Sequence, residues 1–200
     1  MRDQKIEKAK FLFKNSGMIV KSSVLNENKF CSNDIAELIS IGLIERVKPG
    51  YYILAEALGE ISDVELAAAV IPAGVVCLYS AAAYYELTTV NPMSVNIALP
   101  NVGKLPILPE HPPVELFKIR RPMFEIGITE VDMTYGKMRI YDKERVVCDF
   151  IRLRHQLGED VALEVLRSYM SGSKNIQKLY EYAEKMRIKR VIRPYVEALL

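Results

Sequence analysis

The chain has 200 residues, half of them hydrophobic and 26% charged, with ten Gly and ten Pro, which excludes collagenous, disordered and disulfide-scaffold classes. Its longest apolar run, Leu66 to Val76, contains Pro72 and falls short of the roughly 20 residues that a bilayer requires, so no membrane contact is expected. The formal net charge is +2, and residues 1–54 hold nine Lys/Arg against six Asp/Glu, a basic excess at the front that permits a polyanionic partner.

The first residues, MRDQKIEKAK, lack the apolar core of a signal peptide, and a cytoplasmic location is expected. Ile6, Ala9, Leu12 and Phe13 recur at helical spacing and predict an amphipathic helix over 3–15, stopped at Ser16-Gly17. Met18-Ile19-Val20 predicts a short strand, after which Ser22 or Ser23 is suited to N-cap a two-turn helix broken at Asn28-Lys29. A third helix is expected from Ser32-Asn33-Asp34, with Ile35, Leu38, Ile39 and Ile41 inward and Asn33, Glu37 and Ser40 outward. Gly42 ends it. Leu43 to Val47, the turn Lys48-Pro49-Gly50 and Tyr51 to Leu54 read as a β-hairpin.

Helix, short strand, helix, helix, hairpin is the layout of a winged helix-turn-helix over residues 1–56, in which the third helix enters the major groove and the hairpin follows the backbone. Base contacts are then expected from Ser32, Asn33, Glu37 and Ser40, because short polar side chains near a helix N-terminus reach base edges. Phosphate contacts are expected from Lys21, Ser22, Ser23, Arg46 and Lys48. Asp34 and Glu37 oppose this by placing negative charge on the reading helix. The competing reading is a module for protein contact, with Arg46 and Lys48 solvated.

Ala55 to Ile61 reads as a connector, and residues 60–200 as a second, α+β domain. Ser62 with Glu65 forms a capping box for a helix to about Val70. Val75 to Leu78 is a brief strand, and Tyr79 to Leu87 a helix whose alanines allow close packing. Strands are expected at Val95 to Leu99, Val114 to Ile119, Ile126 to Ile128 and, after a turn at 135–137, Met138 to Ile140, forming a small, mainly antiparallel sheet. His111, in the proline-rich loop 100–113, is expected to be solvated. Asp142 N-caps a helix with the stripe Val146, Phe150, Leu153 and Leu157, and Arg145 and Asp149 form an i,i+4 pair of the kind common on helix surfaces. Three more helices follow, with inner residues Leu163, Leu166 and Met170, then Ile176, Leu179, Ala183 and Met186, then Val191, Tyr195 and Leu199. A C-terminal helical bundle is expected.

Lys185, Arg187, Lys189, Arg190 and Arg193 place five cations in nine residues, either a surface for an anion or acidic partner or a solvated helix end. An enzyme using Glu144 and Asp149 with a metal is the rival from another class. The two carboxylates are about 140° apart around one helix and cannot converge easily on one ion. No metal, no catalytic residue and no cofactor is expected. Cys31, Cys77 and Cys148 lie far apart and form no CxxC, as expected of free thiols.

The ordered pieces, Leu43-Ile44-Glu45-Arg46-Val47-Lys48-Pro49-Gly50-Tyr51-Tyr52, then Cys77-Leu78-Tyr79-Ser80-Ala81-Ala82, then Val95 to Pro100, then Glu144-Arg145-Val146-Val147-Cys148-Asp149, together resemble the AbiEi antitoxin family of abortive-infection, type IV toxin-antitoxin systems. The resemblance covers nearly the whole chain. It implies a winged helix bound to double-stranded operator DNA of its own operon, with Arg46, Lys48 and Tyr51 in the wing. It further implies a C-terminal domain that counteracts a nucleotidyltransferase-like toxin without a tight complex. The expected protein is a monomer or weak dimer, cooperative on DNA. The alternative is a stand-alone winged-helix regulator that senses a small ligand or a protein partner.

Overall fold

The computed structural model describes residues 3–134 and 136–199; Tyr135, part of the turn expected at 135–137, lies outside the described residues. The fold is mixed α+β and divides into two compact units. One takes in the described residues up to Pro72 together with Leu105–Val114 and Asp132–Met138; the other takes in Ala73–Lys104, Glu115–Val131 and the described residues from Arg139 onward. The first unit thus runs past the connector at 55–61, where the sequence places the domain boundary.

In the first unit, α1 (Asp3–Asn15) buries Ala9 and Phe13. Gly17 supplies the positive φ of 76° that turns the chain out of it, a conformation open to glycine at little cost. β1 (Ile19–Lys21) leads directly into α2 (Ser22–Glu27). The cap expected from Ser22 or Ser23 is not made: Lys21 is the N-cap residue and supplies no side-chain bond. The Ser22 N–H instead donates to the Gly50 carbonyl at 2.9 Å, so the hairpin turn fixes where α2 begins.

α3 (Ser32–Ser40) starts from Cys31, whose backbone N–H donates to the Asp34 carboxylate at 2.8 Å. Its inner face is narrower than expected. Ile35 and Leu38 are buried, but Ile39 and Ile41 are 39% and 51% exposed. Ile39 is rotated about 100° from Leu38, and Ile41 lies past the helix as its C-cap.

β2 (Ile44–Lys48) and β3 (Tyr51–Leu54) form the hairpin, and β1 pairs antiparallel with the other side of β3, giving the order β1-β3-β2. Ala9, Phe13, Val20, Leu25, Phe30, Ile35, Leu38, Ile44 and Leu54 make one core from all three helices and the sheet. Beyond a 3-10 turn at Ala55–Ala57, α4 (Asp63–Val70) opens with the expected capping box: Ser62 Oγ accepts the Glu65 N–H, and Glu65 accepts the Ser62 N–H.

The larger sheet contains β4 (Val75–Val76), β5 (Val95–Pro100), β6 (Val114–Ile119), β7 (Ile128–Met133) and β8 (Gly136–Tyr141), in the order β6-β5-β4-β8-β7; most of it belongs to the second unit, while Val114, the end of β7 and the start of β8 are assigned to the first. β4 pairs antiparallel with β5 and parallel with β8. Val95 through Leu99 are all buried rather than alternating, as in a strand covered on both faces. Ile126 falls outside β7, and a short helix α6 (Arg121–Phe124), with proline in its first turn, precedes it unanticipated. Helix α5 (Leu78–Tyr84) buries Ser80, Ala81 and Ala82.

α7 (Lys143–Arg152) buries every residue from Glu144 to Ile151. It stops before Leu153, so Leu153 and Leu157 do not continue its stripe but belong to a turn and to α8 (Arg154–Leu157). α9 (Glu159–Ser171), α10 (Ile176–Lys185) and α11 (Lys189–Glu197) complete the helical part. In α9 the buried residues include Val165, Leu166 and Met170, with Leu163 only half-buried. In α11 the buried pair is Ile192 and Val196, one position after the expected Val191 and Tyr195, and Leu199 is 38% exposed. Among the described residues no helix is long and apolar enough to cross a membrane.

Candidate nucleic-acid interface

The outer face of α3 is defined by what its inner face buries. With Ile35 and Leu38 in the core, Ser32, Asn33 and Ser40 are exposed and Glu37 is half-buried. Ser32 and Asn33 occupy the first turn, where backbone N–H groups lack helical acceptors. Ser40, at the other end, spends its hydroxyl on the Glu37 carbonyl at 2.8 Å. Asp34 does not stand as an open negative charge: Lys5 forms an ion pair with it and the Cys31 N–H bonds to it. These two partners, Lys5 first, hold its carboxyl down at about 2, and Asp34 in turn raises the Lys5 ammonium.

A groove of about 520 Å³ opens beside this turn, lined by Lys5, Lys8, Lys29, Phe30, Asp34 and Glu37 among others. Lys8 donates to the Asn28 carbonyl at 2.8 Å and sits 5.6 Å from the centre of the Phe30 ring. Lys29 is exposed, at φ 66°, in the turn between α2 and α3. Sequence reading passed over both lysines. Their one signal was the α1 spacing of Lys5 and Lys8, one turn apart.

The second cluster is at the hairpin tip. Lys21, Tyr51 and Lys48 stand in one row across β1, β3 and β2. Lys21 Nζ lies 5.5 Å and Lys48 Nζ 4.7 Å from the centre of the Tyr51 ring. Lys21, Ser23 and Arg46 are exposed and Ser22 and Tyr51 are half-buried. Lys48 departs from expectation. It is only 7% exposed, and its Nζ donates to the Ile107 carbonyl at 3.0 Å. Burial, with the neighbouring Lys21 charge, lowers its pKa. The pairing register of β2 with β3 shifts between Arg46 and Lys48, so the exposure of Arg46 does not carry over to Lys48 two residues on.

In the second unit, Lys185, Arg187, Lys189, Arg190 and Arg193 are all exposed around the α10–α11 turn. Although no acid lies between them in the sequence, Lys189 pairs with Glu184 at 2.9 Å and Arg193 with Glu197 at 2.6 Å. The adjoining groove, about 460 Å³, also carries Glu181 and Glu184. The cluster is therefore of mixed charge.

The Arg145–Asp149 pair is not on a helix surface. The two side chains are 0% and 2% exposed and meet at 2.9 Å. Arg145 also donates to the Met123 and Ile126 carbonyls, the latter at 2.7 Å, and lies 4.1 Å from the centre of the Tyr141 ring. Asp149 further binds Arg152 at 3.1 Å, while Glu144 accepts from Tyr169 at 3.0 Å and pairs with Lys178 at 3.2 Å. Both carboxylates of the enzyme rival are thus engaged by partners within the fold. Among the described residues no three His, Cys, Asp or Glu side chains gather as a metal site would need. His111 is exposed, as expected of a solvated loop residue, with Asp63 at 3.6 Å.

No protein-family model matches the chain. No curated protein matches it either. Among solved structures, it is similar to the crystal structure of the RV2827C protein from Mycobacterium tuberculosis, at 17% identity and a TM-score of 0.48, covering 98% of this chain and 79% of that one.

Proposed function

We propose that the protein is a sequence-specific DNA-binding autorepressor and the antitoxin of a type IV toxin-antitoxin system, acting without chemistry of its own. The observation that supports this best is the first unit: three helices and a three-stranded sheet around one core, with Ser32 and Asn33 exposed at the start of α3 and a hairpin beside α2. This arrangement supports reading the first unit as a winged helix-turn-helix, in which α3 would enter the major groove. Asn33 is suited to bidentate contact with adenine, and Ser32 to either strand's base edges. Lys21, Ser23 and Arg46 would supply phosphate contacts from β1, α2 and the hairpin, and Lys8 and Lys29 from the groove beside the first turn of α3. Because Lys5 compensates Asp34, the reading helix repels DNA less than its sequence alone suggests.

The antitoxin role rests on the family resemblance of the ordered motifs, and assigns the second unit to counteracting a nucleotidyltransferase-like toxin. A reporter driven by the DNA upstream of the protein's own coding sequence tests the proposal. Wild-type protein should repress it, Asn33→Ala should release it, and coexpression should restore growth to cells carrying a co-encoded toxin. Equal reporter output with and without the wild-type protein refutes the repressor, equal repression by wild type and Asn33→Ala refutes the reading role of Asn33, and failure to restore growth refutes the antitoxin.

A further inference from the structure

Lys48 is the cation nearest the hairpin turn, yet it is almost wholly covered. Its Nζ donates to the Ile107 carbonyl, 59 positions further along the chain, and lies 4.7 Å from the centre of the Tyr51 ring. That carbonyl belongs to Leu105–Val114, a segment that packs within the first unit although its flanking residues in sequence belong to the second. Pro109 and Pro112 are buried, whereas Leu105 and Ile107 are 53% and 64% exposed. The end of the segment that touches Lys48 thus carries exposed Leu105 and Ile107 with Pro106 and Leu108 half-buried, while the two buried prolines anchor its far end, so opening is expected to begin at the Lys48 end. Lys21, in the same row beside the Tyr51 ring, is exposed.

We propose that Leu105–Val114 is an autoinhibitory strap, which withholds Lys48 from a polyanion by drawing it onto the Ile107 carbonyl and must lift for the hairpin to bind DNA at full strength. The inference rests on the DNA-binding reading. A lifted strap gives the tip two cations beside Tyr51 instead of one. By linkage, whatever strap removal does for DNA affinity, DNA must do for strap opening.

Two variants test it: Leu105–Leu108 replaced by Gly-Ser-Gly-Ser, which makes holding the strap entropically costlier, and the same four residues deleted. Thermal unfolding establishes that each folds. Without DNA, acetylation by an N-hydroxysuccinimide ester, read by mass spectrometry, should modify Lys48 severalfold more slowly than Lys21 in wild type and at a comparable rate in the variants. With upstream DNA, the variants should bind more tightly, and the plot of log affinity against log salt should steepen by about 0.9, one further phosphate. Adding Lys48→Ala should remove that gain. Fast labelling of Lys48 in wild type, or an unchanged salt slope in a folded variant that still binds DNA selectively, overturns the strap. If wild type and variants alike show no selective binding, the DNA reading fails and the strap's role with it, while the labelling rates still report whether Lys48 was covered.

Discussion

At the level of single residues, the strongest consequences come from two charges that the fold uses internally. Arg145 is wholly buried and bridges Asp149 to the Met123 and Ile126 carbonyls. Arg145→Met leaves Asp149 with Arg152 alone and two carbonyls unpaired, and should cost about 3–5 kcal/mol by denaturant titration, the range for breaking a buried pair. Gly127 belongs to the same arrangement: its φ is +77°, and a Cβ there would come within 2.5 Å of the Arg145 Cβ. Gly127→Ala should destabilise through both strain and overlap. Asp34 gives the pH dependence. Its carboxyl lies at about 2 when folded against an ordinary 3.8, so the unfolded chain binds its proton first as pH falls. The stabilisation is complete above about pH 4 and is lost as the pH drops towards 2. Hydrogen-exchange protection at the start of α3, taken relative to the intrinsic rate at each pH, should fall over that window in wild type and not in Asp34→Asn.

Among the elements, those with local signals were legible in the sequence and those defined by distant contacts were not. α1 follows from its apolar spacing, the start of α4 from Ser62 and Glu65, and the hairpin from Lys48-Pro49-Gly50. Ser62→Ala should therefore cost about 1 kcal/mol, the usual worth of an N-cap, in thermal unfolding. The start of α2 was misread because Gly50, far along the chain, takes the Ser22 N–H. The placement of Lys48 was misread because its hydrogen-bond acceptor, the Ile107 carbonyl, lies 59 positions further along the chain. The burial of Arg145 could not be read from an i,i+4 spacing, which is the same on a surface and in a core. Of the candidate site, Ser32, Asn33 and Arg46 stand exposed where periodicity put them, whereas Lys8 and Lys29 join α3 only through the fold. The two classes of contact are separable: Arg46→Glu should weaken binding to every duplex and flatten the salt dependence, while Asn33→Ala should lower discrimination by about 1–3 kcal/mol at one base position.

For the molecule as a whole, the mild net charge conceals a division of labour in the proposed account. The basic excess lies in residues 1–54, with the reading helix and the hairpin, whereas the C-terminal cations are interleaved with Glu181, Glu184 and Glu197. A polyanion should then engage the first unit foremost. If the operator is an inverted repeat, two copies should occupy half-sites about one helical turn, or a multiple of it, apart. The central claim is selective DNA binding, and the most direct test is fluorescence anisotropy of the full chain with the duplex upstream of its own coding sequence, against a scrambled duplex, at two salt concentrations. The account predicts tighter binding to the upstream duplex at both salts, with affinity falling steeply as salt rises. Equal affinity for the two duplexes at both salts would contradict it.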